Sequence, residues 1–497
     1  MKSNIDLYNL IKAMSKSEKR YFTLDAQKTN RKGSKYLDLF QAIKDMDIYD
    51  EEKLKKKFGV GLPHDKIYLY EAILRSMRDY RSSTSISAQI REMILDSKYL
   101  YERGLYEQCQ DRLQTARDLA RDLDDQLALL EINKEERSLV WQNRKKYYEK
   151  DIDQLANQSR LIRTSFSEEM LYLDLYEDLS KLVMRQFELK DEKEKTNLRE
   201  KYAEFLEKAR GNTISSRAQR RYFQCQALYH QLLGDFDNVY KYYYMVVDWW
   251  NANPKYRDEE FYRYIVDISN LLHACSVKGQ YHYLPDLLQT LESSSPKNIH
   301  DKGVVFQKVA IYKLMYHINS GDFEGVDLLL DKIDVGLTQF RISKGSKLVL
   351  IFNVVCLLFV FEDFKLCISW ADRILKKEKT SSRQDIQRAI RIVQVIAYLE
   401  MEMDEELEST IRAYQRYFQK NGLSRDAFEF RMISHLNRYY LAPLNEQKQE
   451  LVNIQKYLTG LKEDKSVHIP FGLDDLFSYW ANARLNKQPI REVFYVS

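Results

Sequence analysis

A short junction recurs along this chain: a helical run ends on glycine, and an aromatic two residues later opens the next run. "LLGDFDNV" (Gly234, Phe236), "SVKGQYHYL" (Gly279, Tyr281) and "INSGDFEGV" (Gly321, Phe323) carry it. "FVFEDFKLC" (Glu362, Phe364) repeats it without glycine, and "YERGLYEQC" (Gly104, Tyr106) is an upstream copy. The successive spacings from Gly234 are 45, 42 and 41 residues. The upstream copy lies 130 residues before Gly234, about three periods of the same repeat. Degenerate junctions near Lys146, Lys190, Met403 and Pro443 keep the rhythm. A repeat array grows by addition, so 497 residues need not share one ordinary core.

Each part of the junction has a physical task. Glycine takes the left-handed conformation that ends a helix. An aspartate after it suits the N-terminus of the next helix. The aromatic packs back into the hairpin. Glycine (15) and proline (7) are scarce, which disfavours folds rich in tight turns and favours long helices. The 36 tyrosines suit wedges between helices, with hydroxyls reaching water or a carbonyl.

The Gly-Asp-aromatic junction resembles that of the tetratricopeptide repeat, with "LLGDF" and "SGDF" the closest matches. The resemblance covers about residues 88–460 as a pattern. It implies an all-α, right-handed superhelical solenoid. The period, about 42 residues in place of 34, is nearer that of HEAT-type repeats. About nine helical hairpins are expected over residues 88–462. A capping helix, "FGLDDLFSYWANARLNK", and a tail occupy 463–497.

Residues 1–81 read as a separate small basic helical domain, set off by the linker "SSTSIS" (Ser82–Ser87). "SKSE" (Ser15–Glu18) is a capping box. This segment holds 18 Lys/Arg against 12 Asp/Glu, a net of +6, whereas the whole chain is only +4. The most apolar stretch, "LVLIFNVVCLLFVF" (Leu348–Phe361), is bounded by Lys347 and Glu362. It is short of the roughly 20 residues that a membrane span needs, so it is expected to be a buried first helix of a central hairpin. Five unclustered cysteines and the lack of a signal-peptide pattern point to a cytoplasmic protein.

Nothing points to catalysis. Phosphate-cradling glycine loops, nucleophile elbows, HExxH and paired-cysteine sites are all missing from the sequence. The eight histidines are scattered, so no enzyme activity, cofactor or metal site is expected. The expected partner is a protein or peptide. Asn270, Tyr312, Asn353, Gln394 and Asn437 are spaced 42, 41, 41 and 43 residues apart, one per successive first helix. Two readings of this ladder are open: amides bonded to neighbouring helices to set their stacking register, or amides along a concave face that clamp a peptide backbone. Tyr242 and Trp249 in "KYYYMVVDWWNANP" are predicted to face away from the core stripe of Tyr243, Val246, Val247 and Trp250. Exposed rings of this kind are favoured interface anchors.

An alternative reading is a peptide-responsive transcriptional regulator. The run "EEKLKKKFGVG" followed by Lys66, Arg75, Arg78 and Arg81 outlines a helix-turn-helix whose second helix contacts DNA. The plan of a small helical unit ahead of a repeat array is similar to that of bacterial peptide-sensing regulators. A pocket for lipid or a small molecule inside the superhelix is a third possibility.

Overall fold

The structure is a computed structural model that describes residues 5–29, 35–142, 148–206, 215–376, 383–420, 422–463 and 473–496. Among them the chain is all-α, with 25 α-helices, one 3-10 turn and no strand. It divides into two compact units, residues 1–278 with 296–301, and residues 279–295 with 302–497.

The first unit begins with α1 (Asp6–Ala13), α2 (Lys16–Thr29), α3 (Lys35–Lys44), α4 (Glu51–Phe58) and α5 (Leu62–Ser82). These enclose a core of their own, built from Leu7, Ile11, Phe22, Phe40, Leu69 and Ile73 among others. Helix α2 is opened by reciprocal bonds: the Ser15 N–H donates to Glu18 Oε2 (2.6 Å) and the Glu18 N–H to Ser15 Oγ (3.1 Å). The serine-rich stretch after α5 is short as a linker, because α5 runs through Ser82 and α6 (Ile86–Glu102) starts four residues later. Ser85 caps α6, and the Glu259 carboxylate accepts from both Ser85 Oγ (2.8 Å) and the Ile86 N–H (2.7 Å).

The unit continues through α7 (Tyr106–Asp122), α8 (Gln126–Gln142), α9 (Tyr148–Arg185), α10 (Glu192–Leu206), α11 (Ser216–Leu233), α12 (Phe236–Ala252), α13 (Pro254–Glu259) and α14 (Phe261–Val277). Helices α6, α7 and α8 each pack on the next, and then α9 packs on α11, α11 on α12, and α12 on α14. The 42-residue rhythm is interrupted here. Helix α9 runs unbroken for 38 residues, where a hairpin period calls for two helices. The junction expected near Lys146 lies outside the described residues.

The second unit holds α15 (Leu284–Glu292), α16 (Ile299–Ser320, from Lys302), α17 (Val326–Gln339), α18 (Lys344–Val360), α19 (Phe364–Leu375) and α20 (Gln384–Glu400). It ends with α21 (Asp404–Lys420), α22 (Phe428–Leu441), α23 (Leu444–Glu463), α24 (Leu473–Asn486) and α25 (Ile490–Val496). Its core is continuous from Ala310 to Ile490. Helix α18 sits inside it, with ten of its apolar residues from Leu348 to Val360 buried. No helix among the described residues is long and apolar enough to cross a membrane.

Several of the junctions share one geometry. Gly234 has φ +78°, its own N–H bonds Gln231 O, and the Asp235 N–H bonds back to His230 O at 2.9 Å. This six-to-one bond closes a Schellman motif, which requires a left-handed residue before the donor. The same bond recurs from Leu105 to Leu100, Asp125 to Ala120, Asp363 to Leu358 and Met403 to Tyr398. Gly104 precedes the first donor, but Asp124 (φ +46°), Glu362 (φ +61°) and Glu402 (φ +53°) precede the others. A side chain costs roughly 1–2 kcal/mol in that conformation, so these acidic residues need a reason to be there. Asp124 and Glu362 have one. The Glu362 carboxylate accepts from Arg484 Nη2 (2.5 Å) and the Ile490 N–H (3.3 Å). Asp124 caps α11, as described below.

Candidate functional site

The ladder residues all stand on helices, in α14, α16, α18, α20 and α22. In the first unit Asn270 is half-buried and its side-chain amide makes no hydrogen bond among the described residues. In the second unit Tyr312 is buried. Asn353 donates to Val349 O at 2.9 Å, one turn back on its own helix. Gln394 is buried at 3% exposure; it donates to Asp372 Oδ1 of α19 (2.9 Å) and accepts from the Tyr414 hydroxyl of α21. Asn437 repeats Asn270: half-buried, with no side-chain partner among the described residues. Gln394 therefore ties three helices together, whereas Asn270 and Asn437 offer open amides.

Of the two aromatic anchors, one is corrected. Trp249 is 6% exposed, not a surface ring. Its indole N–H donates to Ser216 Oγ (3.1 Å), and its ring meets Trp250 and Tyr256 at 5.1 and 5.3 Å. A single-helix projection misplaces it because α13 turns back over α12 and covers a second face. Tyr242 is half-buried and stacks on His230 at 5.5 Å. The ring on the open side of α12 is Tyr244.

Lys66 is corrected as well. It is 1% exposed. Its ammonium pairs with Glu51 Oε2 (2.5 Å) and reaches the Tyr49 hydroxyl (2.6 Å), which itself bonds Glu51. A buried, paired lysine cannot touch phosphate. Arg75, Arg78 and Arg81 are exposed on α5, as are Lys53, Lys56 and Lys57 on α4.

Two polar clusters in the first unit went unmarked in the sequence reading. In one, Asp267 of α14 is 1% exposed and accepts from Arg220 Nη1 (2.6 Å), Trp250 Nε1 (2.8 Å) and the Gln224 amide. The Arg220 guanidinium lies 4.7 Å from the Trp250 ring. The one trace in the sequence is an acid inside an apolar run, "YIVDISNLL". In the other cluster, Asp124, Glu168 and Glu169 converge on Ser215 at the start of α11. No spacing rule brings together residues up to 91 positions apart.

Among the described residues no three His, Cys, Asp or Glu side chains gather so as to hold a metal ion. The cysteines are unpaired. Burial pushes the Cys225 and Cys356 thiols up to about 12 and Cys275 up to about 11, which leaves them poor nucleophiles at neutral pH. No protein-family model, curated protein or solved structure matches this chain.

Proposed function

We propose that this chain is a non-enzymatic α-solenoid of about nine hairpins that grips an extended protein or peptide segment along its first helices. The observation that carries the reading is that each unit has an open amide on a first helix: Asn270 in the first and Asn437 in the second, neither engaged by its side chain among the described residues. A side-chain amide offers a donor and an acceptor, the complement of a peptide backbone. The left-handed junction residues at 234, 279, 321, 362 and 402 support the repeat itself. Unpaired cysteines favour a reducing compartment such as the cytoplasm.

The test is capture of partners from native lysate by wild type and by Asn270→Leu/Asn437→Leu. The double substitution is expected to lose the wild-type partner set while keeping the wild-type melting temperature. An unchanged set at unchanged stability overturns the reading. A DNA-contacting N-terminal unit is the second reading, favoured by the exposed arginines Arg75, Arg78 and Arg81 and without Lys66. It requires a shift of nonspecific duplex by the full chain that weakens with salt, because phosphate contacts release counterions. No retention in low salt removes it.

A further inference from the structure

Ser215 poses a proton-counting problem. Its Oγ lies 2.6 Å from Glu169 Oε1 and 3.1 Å from Asp124 Oδ2, and it also accepts from the Ala218 N–H (3.3 Å). A serine hydroxyl has one proton to donate. It satisfies one carboxylate, and the other contact needs a proton of its own.

The surroundings decide which carboxyl carries it. Asp124 Oδ2 also accepts the N–H groups of Ser216 (2.9 Å) and Arg217 (3.4 Å) at the N-terminus of α11, a setting that favours an anion. Glu168 accepts the Ser215 N–H (3.2 Å), and Asp125 accepts from Arg91 (2.9 Å) and the Ala128 N–H (2.9 Å). Among the described residues only Ser215 Oγ contacts the Glu169 carboxyl within hydrogen-bonding distance. The nearby cation, Arg217, is committed elsewhere: Nη1 to Glu260 (3.1 Å), Nε to Leu123 O (3.2 Å), with its guanidinium over the Tyr256 ring. Among the described residues, Asp124 and Asp125 from the α7–α8 turn, Glu168 from α9 and Tyr256 from α13 also face this carboxyl.

We propose that Glu169 is held protonated in the closed fold, donating to Ser215 while Ser215 donates to Asp124, and that its ionisation is a pH-operated release of α9 and the α7–α8 turn from the start of α11. Burial first, helped by the charges of Asp124 and Asp125, raises this carboxyl to about 7, against the ordinary 4.5, over the opposing pull of the Ser215 hydrogen bond and Arg217. Closing therefore takes up a proton between those two values. The closed state is most favoured at low pH and loses ground as pH rises through that window, and the loss is complete above about 7. This device is independent of what the protein binds.

Hydrogen exchange on the full chain tests it, with protection of the Ser216, Arg217 and Ala218 amides compared at pH 6 and pH 8.5 after correction for intrinsic rates. Protection in wild type is expected to fall about tenfold over that interval by linkage, with no matching change in α6. Glu169→Gln keeps a donor at every pH and is expected to abolish the difference. An equal loss in Glu169→Gln, or a wild-type change no larger than that of α6, overturns the proposal. Asp124→Asn gives a second arm: removing that neighbouring charge moves the midpoint of the loss to lower pH, and an unmoved midpoint also counts against it.

Discussion

Helices α11 and α18 are both largely buried, yet they are buried by opposite chemistry. The buried side chains of α11 include Arg220, Gln224, Gln226 and Gln231. Every buried side chain of α18 is a hydrocarbon. Apolar contacts are non-directional, so α18 can gain its stabilisation in several registers. The α11 network works in one register, because Asp267 must meet Arg220, Gln224 and Trp250 together. The second unit relies on a continuous apolar core and adds occasional polar ties such as Gln394. The first unit relies on geometry, and its stability should be correspondingly sensitive to losing one atom.

The sharpest way to break this contrast is Asp267→Ala. It leaves Arg220 as an uncompensated buried charge and should cost about 3–5 kcal/mol, read from denaturant unfolding followed by tryptophan fluorescence. Replacing Arg220 by Met in the same chain should recover much of that loss, since removing both charges is far less costly than removing one. In α18, Leu357→Ala should cost about 3 kcal/mol by cavity formation, while Leu357→Met should cost less than about 1.5 kcal/mol. If Asp267→Ala proves milder than Leu357→Ala, the distinction between directional and non-directional burial fails here.

Smaller effects sharpen the ladder. Gln394→Leu strands the Tyr414 hydroxyl and removes one donor to Asp372, which keeps Lys376, and should cost roughly 1–3 kcal/mol. Asn353→Leu should cost less than about 1 kcal/mol, because its one bond runs to its own helix and is of the kind that adds little. One effect of similar size is a gain. Glu402 is exposed with φ +53° and its carboxylate makes no hydrogen bond among the described residues, so Glu402→Gly should stabilise by about 1 kcal/mol. The same change at Glu362 should not, since that carboxylate holds Arg484 and Ile490. Calorimetric melting of the two variants separates them.

Those two glutamates also mark how far the sequence could be read. The glycine junctions were legible because only a residue without Cβ enters the left-handed region cheaply. Glu362 was found by rhythm alone, and Asp124 was not found, because an acidic residue at a helix end carries no mark of its φ. Helix α9 escaped for a related reason: its interior lacks a break, and an expected junction is only a prior. Lys66 and Trp249 were misread from one helix at a time. Each faces outward on its own helix until a neighbour, the α4 start or α13, covers it.

Local chemistry thus decided helical type, the placement of most junctions and the buried standing of α18, since all three depend on residues within one or two turns of each other. Tertiary structure alone decided which polar groups are spent and which are open. Asp267 finds Arg220 47 residues away, and Ser215 finds Asp124 at a distance of 91. No periodicity encodes such pairs, because a hydrogen bond is settled by distance and angle in space, and those exist only once the helices have packed.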